Sequence, residues 1–330
     1  MQITITKPGV LSTIQDMGRW KYLSQAVPVS GPMDSLSARI ANIALGNNEN
    51  ASVIEFTYGA AEFSVDVPIL IAYSGDGALL KSGKQLLPAN RPILVPGGQT
   101  ISLQNNSKGC RTYLAIAGGF NVPATLGSYS TYLPAAIGGL NGCALQAGDV
   151  LKSTNELTAL NKVLLNNLSD DTIAYPNWSV SKIALGLEDT KVIRVMSGPE
   201  SSWFDSESVR TLFCESFTMT MQSNRMGYRL KGSMMQRVNP SELLSTAVTM
   251  GTIQVTGNGD LILLMADCQT TGGYPRIAQV ASVDLPLCGQ LKPGDQIFFK
   301  EISRAEAEML YIEREQNLQK AKAALQARFL

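Results

Sequence analysis

The stretch L-Q-A-G-D-V-L at residues 145–151 returns, slightly altered, as L-K-P-G-D-Q-I at 291–297. Both read as a tight Gly-Asp turn entering a final strand. Each turn would close one half of the chain. That divides the 330 residues into a first domain over 1–151 and a second over 191–303. Between them, 152–190 is polar and lacks a clear period, so it reads as a connector or an insertion. Residues 304–330 are appended. Two domains agree with what this length allows.

Within each half the pattern is one of short strands broken by Gly, Pro and Asn. Examples are 69–73, 93–95, 113–116, 192–196, 261–265 and 296–299. Their spacing predicts barrels or sandwiches rather than a doubly wound α/β sheet, so the fold class is mainly β. Three segments carry helical spacing: 33–45, 202–213 and 304–329. In the first, Pro32 suits the opening turn and Gly46-Asn47 the exit. In the last, acidic residues come first and basic residues last, as the helix dipole prefers. Its weak apolar stripe (Leu310, Leu318, Ala321, Leu325, Phe329) predicts docking on the body of the protein, with docking on a partner the alternative.

Composition excludes several functions. The formal net charge is zero, which does not favour nucleic acid. No apolar run approaches the ~20 residues of a membrane span, and the N-terminus alternates like a strand rather than opening as a signal peptide. Five scattered cysteines without a C-x-x-C pair fit free thiols in a reducing cytoplasm. The chain contains no histidine, which removes Ser-His-Asp triads, Cys-His dyads and H-E-x-x-H zinc sites. A bound metal, of unknown identity, would be a hard cation held by oxygens.

Candidate chemistry then falls on a few polar stretches. A-L-L-K-S-G-K-Q at 78–85 imitates a phosphate loop but reads better as a hairpin. In S-T-I-Q-D-M-G-R-W at 12–20, Gln15, Asp16 and Arg19 surround Gly18. They form either a turn with a surface partner or a bidentate clamp for a carboxylate or phosphate. V-P-V-S-G-P-M-D at 27–34 brings Ser30 and Asp34 to a helix start, as anion site, catalytic acid or capping contact. S-N-R-M-G-Y-R-L at 223–230 holds Arg225, Tyr228 and Arg229, and in a strand the two arginines would share one face. A-D-C-Q-T-T-G-G-Y-P at 266–275 follows an apolar run. There Asp267 could act as a base or hold a metal. Thr270 and Thr271 offer hydroxyls, and Gly272-Gly273 would let the backbone approach a ligand closely.

Taken in order, these stretches resemble one family. The pattern runs through K-P-G-V-L-S-T-I-Q-D-M-G-R (7–19), V-P-V-S-G-P-M-D (27–34), A-N-I-A-L-G-N (41–47), A-I-A-G-G-F (115–120), G-S-Y-S-T-Y (127–132) and G-G-L-N-G-C-A-L-Q-A-G-D (138–149). It continues in S-G-P-E (197–200), N-R-M-G-Y-R-L (224–230), G-T-I-Q-V (251–255) and D-C-Q-T-T-G-G-Y-P (267–275). This is similar to the biotin-dependent carboxyltransferase-like family, also called allophanate hydrolase subunit 2, whose members include the C subunit of 5-oxoprolinase and a kinase-inhibitor antagonist. The resemblance implies two cyclophilin-like β-barrel-type domains with a few short helices.

It also implies partners: a B-type subunit and an A-type subunit that together open 5-oxoproline to glutamate, using ATP and Mg²⁺ in the complex. No bound biotin is expected, because the chain has no biotin-carrier segment. The implied catalytic residues are Asp34 and Asp267. The implied substrate- or nucleotide-binding residues are Gln15, Asp16, Arg19, Ser30, Glu55, Arg225, Tyr228, Arg229, Gln269, Thr270, Thr271, Gly272 and Tyr274. Two alternatives stand beside this: a non-catalytic regulatory subunit that captures a B-type partner, and a carboxyltransferase component of a urea carboxylase type of system. The chain departs from the family pattern at Tyr129, Cys143 and Cys268, where Arg is common, at Asn224 for Asp, and at Thr246 for Glu.

Overall fold

In the structure, a computed structural model describing all residues except 155, 169–170, 187–190, 240 and 330, the two Gly-Asp steps are one turn built twice. Gly148 (φ 95°) donates its N–H to the carbonyl of Ile5, and Ile5 donates back to that of Asp149. Gly294 (φ 92°) and Asp295 make the same exchange with Met219. In each turn the aspartate side chain accepts from the backbone three residues earlier, Gln146 N at 2.7 Å and Lys292 N at 3.1 Å. Each turn launches the last strand of its half.

The chain forms two compact units. One comprises Met1–Arg19, Ser30–Leu185 and Asn317–Leu330; the other comprises Trp20–Val29 and Gly186–Gln316.

The first unit contains β1 Gln2–Pro8, β2 Leu11–Gln15, β3 Val53–Thr57, β4 Ala61–Val65, β5 Ile69–Gly75 and β6 Ala78–Ser82. Then follow β7 Gln85–Leu86, β8 Ile93–Val95, β9 Gln99–Asn105, β10 Arg111–Ile116 and β11 Val150–Lys152. They form two antiparallel sheets, ordered β11-β1-β4-β9-β6-β7 and β2-β3-β10-β5-β8. Ile3, Ile5 and Phe63 of one sheet meet Ile54, Phe56 and Ile71 of the other in a shared core. Two sheets over one core are the sandwich solution to burying apolar faces. Strands β5 and β10 are buried along their whole length, because their second face is covered by α1 Ser35–Leu45. The phosphate-loop imitation is a hairpin, with Ser82 opposite Gln85 across a turn at Gly83. A short helix, α2 Ala159–Asn167, lies in the stretch read as a connector; Thr158 and Asn161 cap it reciprocally.

The second unit contains β12 Val192–Ser197, β13 Ser216–Met219, β14 Gly227–Lys231, β15 Thr246–Ala247 and β16 Thr252–Val255. It continues with β17 Leu261–Leu264, β18 Thr271–Gly272, β19 Arg276–Val280 and β20 Gln296–Glu301, together with α3 Ser206–Cys214 and α4 Leu285–Gln290. Seven strands close a barrel in the order β12-β19-β16-β17-β14-β13-β20. The parallel β12–β20 pair closes it. Strands β15 and β18 make a separate two-stranded ribbon.

Mainly β is therefore correct, with the closed barrel in the second unit and paired sheets in the first. The first helix begins at Ser35 rather than 33, so Pro32 precedes it. The second predicted helix is α3, starting after Asp205. The terminal helix, α5 Arg304–Phe329, matches its expected span. It docks, as the stripe suggested. In the second unit Ala307 packs with Ala281, Val283 and Ile302, and Arg314 donates to the Val283 carbonyl. In the first unit Lys322 meets Glu49 at 2.5 Å and Phe329 stacks at a tilt on Trp178. Among the described residues, no helix is long and apolar enough to cross a membrane.

Candidate functional site

In the first unit, β2 ends by delivering Gln15 and Asp16 into a buried loop. The Asp16 carboxylate is fully engaged: Oδ1 accepts from Gly18 N (3.0 Å), Ser130 Oγ (2.6 Å) and Ser128 Oγ, and Oδ2 accepts from Tyr129 N (2.8 Å). Arg19, buried, donates to the Ser130 carbonyl. Asp16 and Arg19 therefore hold the 128–130 loop, and the clamp is turned inward. Gln15 donates to Thr13 Oγ1 (3.0 Å) and to the Thr131 carbonyl (3.3 Å). Ser30 sits at φ 58°, before Gly31 at φ 89°.

Asp34 is the N-cap of α1. Its Oδ1 accepts from Ser37 N at 2.9 Å and its Oδ2 from Ser37 Oγ at 2.6 Å. The capping reading of this residue is therefore the one the geometry bears, with the cap one position before the helix. Glu55, on β3, accepts from Met33 N (2.8 Å) and from the hydroxyl of Tyr113 (2.7 Å). That hydroxyl in turn accepts from Asp34 N (2.8 Å). Arg111 Nε stands 3.7 Å from Glu55 Oε1. Burial, then the charges of Glu55 and Asp34, hold the Tyr113 phenol well above its ordinary value, so it stays a donor. Tyr113 and Arg111 were not singled out from sequence; their register, with Tyr113 opposite Glu55 across β10 and β3, needed the pairing.

In the second unit Arg225 grips Asp267 through Nε (2.7 Å) and Nη2 (3.2 Å), with both side chains buried. This is a bidentate pair of the kind that fixes a carboxylate plane. The expected common face for Arg225 and Arg229 is not found. Strand β14 starts only at Gly227, so Arg225 lies in the preceding turn and is buried, whereas Arg229 is exposed. Tyr228 points into the barrel core, fully buried.

Gln269 and Thr270 are half-buried, and the Thr270 carbonyl accepts from Val248 N. Thr271 and Gly272 form β18, paired with Ala247 and Thr246. Any side chain at Gly272 would meet Gln254 Nε2 at 2.7 Å, so this glycine admits a neighbouring side chain. Tyr274 is exposed, and its carbonyl accepts from Gln254.

Glu200, in the S-G-P-E stretch, escaped the candidate set. Arg276 donates to it from Nε (2.8 Å) and Nη2 (2.7 Å) while also bonding the Ala247 carbonyl. This pair ties the ribbon to the barrel. The hydrogen bonds from Arg276 hold Glu200 below the usual carboxylate range.

The positions that depart from the family pattern have separate local roles. Asn224 caps a turn by accepting from Met226 N. Cys268 is packed with Val248 and Leu264, and burial pushes its thiol up to about 12. Tyr129 packs partly on the first core, and Cys143 is exposed. The Thr246 hydroxyl is buried with no hydrogen-bond partner among the described residues.

The family described as "Carboxyltransferase domain, subdomain A and B" matches residues 25–301. The chain is 33% identical over 305 residues to the C subunit of 5-oxoprolinase from Escherichia coli (strain K12), covering 92% of this chain and 93% of that one. It is 34% identical over 307 residues to the C subunit of 5-oxoprolinase from Haemophilus influenzae, covering 91% of each. The solved structure of the K. lactis urea amidolyase is similar with a TM-score of 0.85 at 31% identity over 97% of this chain. The chain spans 20% of that larger protein.

Proposed function

Because the chain belongs to the family of the carboxyltransferase domain, subdomains A and B, we propose that it is the C subunit of an ATP-dependent 5-oxoprolinase-like complex. One observation carries this reading: the two 5-oxoprolinase C subunits correspond to the chain over nearly its whole length, at 33% and 34% identity. In this role it works with a B-type and an A-type subunit to open the lactam of 5-oxoproline to glutamate. An unstrained lactam resists water, and phosphorylating its amide oxygen makes the carbonyl carbon a stronger electrophile.

ATP supplies that phosphoryl group to the complex. Mg²⁺ is assigned to the complex, and no step is routed through this chain's carboxylates. Asp34 and Asp267, engaged with Ser37 and Arg225, act by positioning: one sets the start of α1, the other fixes the guanidinium of Arg225. In the second unit Arg229, Thr271 and Tyr274 are exposed and Gln269, Thr270 and Gly272 half-buried, and in this reading they are the ones left to meet a partner or ligand.

The test is to combine the chain with its B- and A-type partners, 5-oxoproline, ATP and Mg²⁺, and to measure glutamate. No glutamate and no substrate-dependent ATP turnover would overturn the proposal. A second reading, a carboxyltransferase component acting on carboxybiotin, is favoured by the likeness to the urea amidolyase structure over 97% of the chain. Genes for a biotin carrier and a biotin carboxylase beside this one would support it; a gene for an A-type subunit supports the first.

A further inference from the structure

The first unit holds a cavity of about 420 Å³, lined by none of the residues the sequence singled out as substrate-binding or catalytic. One wall is the segment from Trp178 to Leu185, and the other is α5 from Asn317 onward. The family match ends at residue 301, so the helical wall lies beyond it. Both walls are anchored. Val180 N donates to the Asn90 carbonyl at 2.8 Å, and Lys182 Nζ bonds both carboxylate oxygens of Asp76. On the helix, Leu318 and Leu325 are buried and Lys322 is held by Glu49. The space between them is therefore preformed, as small-molecule sites usually are, and its volume falls in their range.

The lining decides what such a space takes. Val180, Leu325 and the Trp178 ring supply apolar and aromatic surface, and Ala321 and Ala324 keep the helical side low. Two exposed cations join them, Lys320 and Arg328. They bracket the two alanines, about 12 Å apart along a helix axis. Lys320 bonds the Asn317 amide oxygen at 3.2 Å, and Arg328 lies over the Phe329 ring. Neither has an acidic partner among the described residues, and no Asp or Glu lines the cavity. The helix carries no acidic residue after Glu315. We propose that this cavity binds an amphipathic carboxylate, its apolar chain in the trough between Val180 and Leu325 and its charge met by Lys320 and Arg328. A neutral chain would leave both cations to water, and a cationic one would face them as like charges. The inference does not depend on the 5-oxoprolinase-like reading, and it gives this chain a ligand of its own besides whatever the complex turns over.

The test is calorimetry on the full chain with decanoate, kept below its micelle-forming concentration. Decanol and decyltrimethylammonium are run beside it, because they carry the same chain with no charge and with the opposite charge. Decanoate should bind saturably and about tenfold or more tightly than decanol, the worth of one charge-assisted hydrogen bond. The ammonium should bind more weakly than the alcohol. Exchanging both cations, Lys320→Gln with Arg328→Gln, should remove most of the preference for decanoate over decanol. Ala324→Trp fills the trough from the helix side and should weaken decanoate and decanol alike. Melting temperatures establish that the variants are folded. Both cations are exposed, so the double Gln variant still decides if Ala324→Trp does not fold. No saturable binding of decanoate, equal binding of decanoate and decanol, a preference that survives the double Gln variant, or full affinity in folded Ala324→Trp overturns the inference. An acidic peptide that binds where decanoate does not would assign the surface to a protein partner and overturn it too.

Discussion

Asp267 in the second unit and Glu55 in the first are both buried acidic side chains, and they are neutralised by different means. Asp267 in the second unit faces one full opposite charge, the guanidinium of Arg225, through two hydrogen bonds. Glu55 in the first unit takes a phenol and a backbone amide on one oxygen, with Arg111 at 3.7 Å from the other. The first arrangement concentrates the charge balance in one side chain. The second spreads it and, through Tyr113 and Met33, uses it to fix the approach to α1. Breaking one partner should therefore cost far more in the second unit than in the first.

The largest effect is expected for Arg225→Met. It leaves the Asp267 carboxylate buried without its partner, which costs about 3–5 kcal/mol. Urea denaturation checks this. The double variant Arg225→Met with Asp267→Leu should recover most of the loss, because replacing both members of a buried pair by apolar groups is often neutral. If the single and double variants are equally unstable, the charge pair is not what the site depends on.

Tyr113→Phe comes next. Glu55 loses one donor and the Asp34 N–H loses its acceptor, for about 1–3 kcal/mol. A loss matching that of Arg225→Met would erase the contrast between the two units. Asp34→Ala should cost about 1 kcal/mol as a lost N-cap. In the proposed 5-oxoprolinase-like complex it should lower turnover only as far as α1 is misplaced. Abolished turnover with stability and assembly intact would instead make Asp34 a catalytic acid.

The Glu200–Arg276 pair gives the second unit an acid-sensitive contact of its own. Its carboxyl is held down by Arg276. A depressed folded value stabilises above the ordinary glutamate value of ~4.3 and loses that contribution as pH falls below it. Stability measured from pH 7 to pH 3 should drop more steeply in the wild type than in Glu200→Gln. Parallel curves would show that the pair contributes no differential protonation.

Much of the fold is legible in local pattern. The apolar runs at 69–73, 93–95 and 113–116 lie inside β5, β8 and β10, and the terminal helix is found to its ends. Barrel closure is not legible, because it rests on β12 pairing with β20 about a hundred residues away. Helix α2 is too short for its period to stand out; the Thr158–Asn161 capping box was the available signal. At the sites, residue types were readable but partners were not. Asp16 is satisfied by serines more than a hundred residues on, and the shared face expected of Arg225 and Arg229 fails because β14 begins two residues after Arg225. Cys268 shows the same limit. Of its apolar neighbours Leu264 is four residues back, but Val248 comes from another segment.

The Gly-Asp echo is the part of the sequence that reads most directly into structure, and it permits the smallest and cleanest comparison. Asp149 and Asp295 each cap their own turn by accepting one backbone N–H, and each turn exchanges the same pair of backbone bonds with a neighbouring strand. Replacing either aspartate by alanine removes one such bond at a turn, worth roughly 0.5–1.5 kcal/mol. The device is the same, but its setting is not. Behind Asp149 lies β11, a three-residue strand at the end of its sheet, paired with β1 and on its other side bonded only by Asn121 N to the Lys152 carbonyl among the strand's described residues. Behind Asp295 lies β20, which pairs with both β12 and β13 to close the barrel. Lys191 and Lys292 also stand 3.5 and 3.4 Å from the Asp295 carboxylate, but exposed ion pairs of this kind add little. Equal losses in the two alanine variants would mean that each aspartate acts only within its turn. A larger loss for Asp295→Ala, seen together with faster amide exchange along β20, would mean that the turn also holds the barrel shut.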